Sequence, residues 1–183
     1  MSCSSRWPTV YDFEQLQKQI KKIVNDNYSQ GFYTPASKQN ELYQGDIIKL
    51  DKKFVSLNSS GSFEAETYSS FWIVLGNTCD FARDIKDLPY TNIIPLQKLN
   101  ADTPQKIKNG LKNFQNYKHM YIPDFLGDDS EYFFDFTKIM TISKEYMQQD
   151  IKTIKIKELS YASWVLFHSC IIRYFARDDG RND

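Results

Sequence analysis

The chain places a cluster of small polar side chains directly after its most apolar stretch, the run FWIVL at residues 71–75. The cluster consists of Asn77, Thr78, Cys79 and Asp80. A thiol at the end of a buried strand could act as a nucleophile or redox sensor if a nearby base or cation, such as Arg83, stabilised the thiolate. The negative charge of the neighbouring Asp80 carboxylate disfavours the thiolate of Cys79. The pattern therefore favours a strand end whose polar groups shape a recognition surface over one that performs covalent chemistry.

Histidines and acids elsewhere give weaker chemical signals. His168 lies among apolar residues near the end of the chain, which is typical of a hydrogen-bonded core histidine. We expect His119 to be exposed. Four acids could gather around a hard cation, but their spacing matches no metal-binding loop. They are Asp46, Asp80, Asp84 and Asp87. The sequence predicts neither a metal site nor a cofactor.

A lysine-rich segment at residues 103–118 could contact phosphate groups. Lys108 and Lys112 are four residues apart, so a helix would place them on one side, with Lys106 and Lys118 nearby. Lysines also cover the solvent side of ordinary amphipathic helices. We retain Lys108 and Lys112 as candidate binding residues beside the polar cluster and Arg83.

Three predicted helices must help to position these residues. Apolar spacing predicts a helix over residues 12–28, and a Thr-Pro start predicts a second, basic helix over 103–118. The apolar face of the second helix includes Ile107, Leu111, Phe114 and Tyr117. Ser160 caps a third helix over 160–176, which is apolar on most sides and must be buried.

The remaining periodic segments read as short strands separated by turns. They lie at residues 45–50, 63–68, 71–76, 92–96, 131–142 and 151–156, with a polar loop over 77–90. Helices do not alternate regularly with strands, so the pattern indicates an α+β fold rather than a parallel sheet. We expect a small, strongly curved β-barrel, with strands over about residues 43–97 and 120–157, in a single domain spanning residues 1–183.

Composition limits the classes of function. The 183 residues carry 23 basic and 23 acidic side chains, so no global charge favours nucleic acid or a membrane surface. Cys3, Cys79 and Cys170 show no metal-ligand spacing. We find no secretion signal and no apolar run of the ~18 residues that span a membrane. We therefore expect a cytoplasmic protein with free thiols.

With the strands placed, residues 45–96 resemble the MazF/PemK toxin family. The resemblance rests on three short motifs: Gly45-Asp46-Ile47-Ile48, Trp72-Ile73-Val74-Leu75 and Ile94-Pro95-Leu96. It implies a small, curved barrel with added helices that is often dimeric, and an activity that cleaves single-stranded RNA without a metal.

The chain departs from this family at its catalytic positions. Where the family has an Arg-Pro pair before the central strand, this chain has Ser69-Ser70-Phe71, and no Lys or Arg occurs from Phe54 through Ala82. A cation is needed to offset charge that builds on the phosphate. Gln97 replaces the hydroxyl residue that the family carries after its Pro-aliphatic strand. The resemblance supports the barrel and argues against the toxin's chemistry.

A Thr-Cys-Asp motif at residues 78–80, Tyr121-Ile122-Pro123, Phe134-Asp135-Phe136 and the Leu159-Ser160 helix start are similar to a group of small bacterial proteins of uncharacterised activity. We hypothesise a non-catalytic accessory component of a bacterial defence or toxin–antitoxin-like module. It would engage a partner protein, with or without RNA or DNA, or form a homodimer. The alternatives are a divergent metal-independent endoribonuclease that uses Arg83 or a helix lysine as its phosphate clamp, and a thiol-dependent enzyme that uses Cys79.

Overall fold

The computed structural model describes residues 31–34, 41–50, 53–67, 71–148 and 154–175, together with Lys18 and Lys21. The described residues form eleven strands: β1 Tyr33–Thr34, β2 Ile47–Lys49, β3 Lys53–Leu57, β4 Phe63–Thr67, β5 Phe71–Val74, β6 Tyr90–Pro95, β7 Gln97–Lys98, β8 His119–Ile122, β9 Tyr132–Asp135, β10 Met140–Ser143 and β11 Lys155–Leu159. Four helices accompany them: α1 Thr78–Phe81, α2 Gln105–Lys112, α3 Lys144–Gln148 and α4 Tyr161–Phe175. The predicted α+β class is confirmed.

The strands form antiparallel sheets, and the ladders among the described residues do not close into a barrel. The largest sheet has the order β1-β11-β2-β5-β6-β10, a second has the order β7-β9-β8, and β3 and β4 form a hairpin. The change of sheet occurs at Pro95, which lacks the N–H that would continue the ladder. The following Leu96 donates its N–H to the carbonyl oxygen of Phe71 (2.9 Å), and β7 then pairs with β9.

Both faces of the six-stranded sheet are buried, which explains why β5 is a continuous apolar run. Its alternate residues enter different cores: Phe71 and Ile73 face the core that α4 covers, whereas Trp72 and Val74 pack with Met147 on the opposite side. β5 therefore lies in the interior of the sheet, between β2 and β6, and contributes side chains to both cores.

Helix α4 matches its prediction. It spans Tyr161–Phe175, and Ser160 caps it by accepting a hydrogen bond from the Ser163 N–H to its Oγ (3.3 Å). Leu166, Phe167 and Cys170 are buried against the sheets. The predicted helix over residues 12–28 lies outside the described residues, except for Lys18 and Lys21, which are both helical.

Other sequence predictions were wrong in detail. The predicted strand over 131–142 is interrupted by a 3-10 turn, Phe136–Lys138, because the Asp135 carboxylate accepts the Thr137 N–H (2.8 Å) and caps the turn. The predicted loop over 77–90 contains α1. The strand expected at 151–156 is Lys155–Leu159, and residues 151–153 lie outside the described part.

The second predicted helix ends six residues early, at Lys112. Phe114 has a left-handed backbone conformation (φ 52°), which stops the helix, and its side chain is buried. Ile107 and Leu111 are four residues apart within α2 and share one face, as predicted, although Ile107 is 53% exposed and Leu111 is buried. Tyr117 lies beyond the end of the helix and is also exposed. The early end of the helix has a tertiary cause, because Arg173 of α4 holds the segment after Lys112.

Candidate nucleic-acid interface

One face of the β7-β9-β8 sheet is covered over only part of its area. Opposite residues in an antiparallel ladder share a face, which puts Gln97, Phe133 and Tyr121 in one row. His119 lies opposite Asp135, two residues further along the strands and on the same face. Leu111 of α2 packs with Tyr121 and covers that end of the sheet. Gln97, Phe133 and His119 border the part that α2 leaves open.

The open part of this face forms a groove of about 890 Å³ between the sheet, α2 and the segment that follows α2. We call it the α2 groove. Its lining includes Lys98, Lys106 and Lys118, the amides of Gln97, Asn100, Gln115 and Asn116, and the rings of Tyr117, His119 and Phe133. None of the lining residues is an acid. The groove is therefore locally positive although the whole chain has no net charge.

His119 is held at one side of the groove by Asp135. The distance between His119 Nε2 and Asp135 Oδ2 is 3.5 Å, and the imidazole meets the Phe133 ring edge-on at 5.5 Å between centroids. Burial by itself raises the pKa of Asp135, but hydrogen bonds from Thr137 and the nearby imidazole hold it below its usual value. The His119 side chain is 24% exposed, so the prediction that it is exposed was wrong.

A buried arginine shapes the groove wall formed by residues 115–118. Arg173 of α4 donates hydrogen bonds from Nη1 to the Phe114 carbonyl oxygen (2.7 Å) and from Nη2 to the Asn116 carbonyl oxygen (2.9 Å). Asn116 Oδ1 in turn accepts the Lys118 N–H (2.9 Å). The positions of Tyr117 and Lys118 in the groove therefore depend on Arg173, which lies more than 50 residues further along the chain.

The two lysines chosen from the sequence do not line the α2 groove. Lys112 forms an ion pair with Glu131, whose Oε1 also accepts the Tyr121 hydroxyl (2.6 Å). Burial alone raises the pKa of Glu131, but these two partners lower it below its usual value. Lys108 Nζ lies 3.4 Å from the Ala101 carbonyl oxygen. Lys112 thus has a structural partner.

The polar cluster after β5 is anchored as a structural turn. Gln44 donates its N–H to Thr78 Oγ1 (3.1 Å) and its Nε2–H to the Leu75 carbonyl oxygen (2.8 Å). Its Oε1 contacts His168 Nε2, as expected for a hydrogen-bonded core histidine. Burial lowers the pKa of His168, which favours the neutral ring. Gln44 thereby joins the strand start, the polar cluster and α4.

Lys144, which is fully buried, holds the other end of this turn. Its Nζ donates to the carbonyl oxygens of Asp80 (2.7 Å) and Arg83 (3.1 Å). The Arg83 side chain is 65% exposed and lies 3.9 Å from the Asp80 carboxylate. Cys79 is an exposed free thiol that makes no hydrogen bond with a described residue. None of the predicted site residues at 77–83 lines the α2 groove.

The acids are not gathered into a cation site. Asp46 is fully buried and pairs with Lys155, with 2.9 Å between Oδ2 and Nζ. Among the residues that the structure describes, no group of three His, Cys, Asp or Glu side chains is placed to hold a metal ion. Within the same part of the chain, no helix combines the length and apolarity needed to cross a bilayer.

Sequence reasoning missed the groove because its parts come from separate segments. Lys98, Phe133 and His119 meet only through the pairing of β7 and β8 with the two edges of β9. The lysine-rich segment was the one available signal, and it contributes Lys106 and Lys118. Comparison of the chain with protein-family models, curated proteins and solved structures finds no match.

Proposed function

We propose that this chain is a non-catalytic binding component that holds single-stranded nucleic acid in the α2 groove. The observation that carries the proposal is the lining, which combines three lysines with no acid and adds the rings of Tyr117 and Phe133. Lysines neutralise phosphates, and aromatic rings stack on bases. Bases within a duplex are already stacked and paired, so contacts to rings favour an unpaired strand.

The proposal is tested by binding of fluorescent 12-nucleotide RNA and DNA strands of mixed sequence, measured by anisotropy at several salt concentrations. The triple variant K98A/K106A/K118A removes the groove cations. We expect its Kd to rise at least about tenfold. The slope of log K against log salt should fall by about 2, because each lost phosphate contact contributes about 0.7 for a single strand.

A matched control removes the same charge elsewhere. Lys21, Lys49 and Lys86 are exposed and do not line the groove. We expect the triple variant K21A/K49A/K86A to bind within about twofold of the wild type at 0.15 M salt, where exposed charges beyond ~8 Å are screened. Equal losses in both triple variants would mean that binding follows total charge, and the groove would not be the site.

One observation favours a second candidate, a divergent metal-independent endoribonuclease. The His119–Asp135 pair borders a lysine-lined groove. A neutral imidazole can accept the proton of a ribose 2′-hydroxyl, and lysines can offset the charge that builds on the phosphate. The phosphate clamp would then be a groove lysine rather than Arg83, which interacts with Asp80 and does not line the groove.

Incubation of the purified protein with a labelled RNA that carries all four bases separates the two candidates. Intact RNA that remains bound supports the binding component. Cleavage that is lost in His119→Ala and kept in Arg83→Ala would establish the ribonuclease with its clamp in the groove. Cleavage that is lost in Arg83→Ala but kept in His119→Ala would indicate that Arg83 is the phosphate clamp, as the sequence suggested.

The setting that we propose is a bacterial defence or toxin–antitoxin-like module in the cytoplasm, with a protein partner or a second copy of this chain. This part of the proposal rests on the sequence resemblance. The proposal that the strands close into a complete small barrel rests on the same resemblance. Gentle purification of tagged protein from its native cells tests it, with mass spectrometry of co-eluting proteins and the 260/280 nm absorbance ratio. A stoichiometric partner from such a module supports the proposal. A protein that elutes alone as a monomer contradicts it.

A further inference from the structure

His119 has one ring nitrogen that the described part of the protein does not use. Its Nε2 lies 3.5 Å from Asp135 Oδ2, and the other oxygen of this carboxylate accepts the N–H (2.8 Å) and the hydroxyl (2.7 Å) of Thr137. Nδ1 of His119, by contrast, hydrogen-bonds to no described residue and keeps access to solvent. Because His119 lines the α2 groove, Nδ1 is the ring nitrogen that a ligand there can reach.

Asp135 determines what this nitrogen can do. Burial by itself raises the pKa of Asp135, but the hydrogen bonds from Thr137 and the nearby imidazole hold it below its usual value. An ionised carboxylate only accepts hydrogen bonds, so a neutral imidazole directs its single N–H, on Nε2, toward it. Nδ1 then carries a lone pair, which repels a phosphate oxygen. Protonation turns Nδ1 into a donor and cancels the negative charge of the His119–Asp135 pair.

We infer that His119 contacts a phosphate of the bound strand only when its imidazole is protonated, so that the α2 groove binds nucleic acid more tightly as pH falls; this rests on the proposed function. A phosphate oxygen accepts a charge-assisted hydrogen bond from an imidazolium, which is stronger than a bond between neutral groups. Histidine is the side chain whose charge ordinarily changes between about pH 5 and 8. The chain has two histidines, and the other one, His168, does not line the groove.

The charges around His119 oppose one another. Asp135 on β9 favours protonation of the imidazole, whereas the lysines that share the groove disfavour it. These lysines are Lys98, Lys106 and Lys118. The other charged side chains near β8 have partners of their own: Arg173 of α4, Lys108 and Lys112 of α2, and Glu131. A phosphate in the groove offsets the lysine charges, so binding of the strand and protonation of His119 favour each other.

The test uses a fluorescent 12-nucleotide single-stranded DNA, which has no 2′-hydroxyl and is therefore not a substrate for the ribonuclease considered above. Anisotropy at constant salt gives its Kd at several pH values between about 5.5 and 8. We expect the wild type to bind about tenfold more tightly at the lowest pH than at the highest, as one hydrogen bond to a charged group provides. In His119→Gln, which does not titrate, the Kd should vary by less than about twofold.

His168→Gln is the matched control, because it removes the other histidine, which contacts Gln44 and does not line the groove. It should keep the pH dependence of the wild type. Calorimetric titration in two buffers of different ionisation enthalpy gives a second readout, which does not depend on this control. Near neutral pH the wild type should take up protons when the DNA binds, and His119→Gln should take up none.

Three results overturn the inference and leave the groove proposal standing. The first is a Kd of the wild type that does not change with pH. The second is a pH dependence that survives in His119→Gln or is lost equally in His168→Gln. The third is equal proton uptake by the wild type and His119→Gln. A wild type that binds the DNA at no pH refutes the groove proposal itself.

Discussion

The guanidinium of Arg173 donates a 2.7 Å hydrogen bond from Nη1 to the carbonyl oxygen of Phe114, which has a left-handed backbone. Arg173 is buried in α4, and Phe114 directly precedes residues 115–118, which form one wall of the α2 groove. Nη1 and Nη2 of this buried cation both donate to backbone carbonyl oxygens, whereas its Nε has no hydrogen-bond partner among the described residues. This contact therefore links the position of the groove wall to the packing of the C-terminal helix.

Replacement of this arginine should destabilise the protein and disturb the groove. In Arg173→Met the carbonyl oxygens of Phe114 and Asn116 lose their donor, and we expect the free energy of unfolding to fall by about 2–4 kcal/mol. Urea unfolding measures the change. Lys86→Met, at an exposed position, is the control and should shift stability by less than about 0.5 kcal/mol. A change below about 1 kcal/mol in Arg173→Met would show that the groove wall does not depend on this residue.

Asp46 should make stability depend on pH in a direction opposite to most acids. Burial raises its pKa from 3.8 to about 6, although the hydrogen bond and charge of Lys155 lower it. The folded state then holds a proton that the unfolded state has lost between pH 4 and 6. The resulting stabilisation is full below about pH 4 and disappears as pH rises through about 6, for a total of up to about 3 kcal/mol.

Urea unfolding of the wild type and of Asp46→Asn at pH 4, 5, 6 and 7 isolates this contribution. We expect the stability of the wild type relative to Asp46→Asn to decrease over this range, because the asparagine does not titrate. The opposite slope would show that attraction to Lys155 outweighs the cost of burying the carboxylate.

Gly76 should tolerate no side chain. A Cβ added there would lie 1.9 Å from Oγ1 of the buried Thr91, so we expect Gly76→Ala to lower the free energy of unfolding by about 1–3 kcal/mol. The double variant G76A/T91A removes the clash and should recover part of that loss, which a double-mutant cycle measures. Additive effects of the two substitutions would contradict a direct clash.

Gly110 should behave in the opposite way. It lies within α2, and an added Cβ would meet only the end of the exposed Gln115 side chain, at 3.2 Å. Gly110→Ala should therefore raise the free energy of unfolding by about 0.5–1 kcal/mol, because alanine favours the helix. Thermal unfolding by circular dichroism measures the change. A lowered melting temperature would show that Gln115 cannot move aside.

Lys144 should hold the polar cluster after β5 in place. In Lys144→Met the carbonyl oxygens of Asp80 and Arg83 lose a buried donor, so the segment over residues 80–88 should open more often. Amide hydrogen exchange resolved by mass spectrometry measures this, with at least about tenfold faster exchange expected there. Peptides from α4 are the internal control. Unchanged exchange at 80–88 would mean that Gln44 alone anchors the turn.

Local signals predicted the elements that depend on neighbouring residues. The Ser160 cap and the apolar sides of α4 placed that helix within a residue of its ends, since capping and burial act over a few positions. The apolar run at residues 71–75 likewise predicted β5. The same reasoning overextended α2, because the residue that ends it, Phe114, takes its conformation in a segment held by Arg173.

Tertiary structure decided where the groove lies and which lysines line it. Strand pairing brings together Gln97, Phe133 and His119. The register between strands that are far apart in the sequence cannot be predicted from the local spacing of apolar residues. The sequence could place Lys108 and Lys112 on one side of a helix. It could not show that Glu131 forms an ion pair with Lys112. The spacing of residues along the chain determines which of them share a helix face, whereas their electrostatic partners depend on how the elements pack, because charges interact through space.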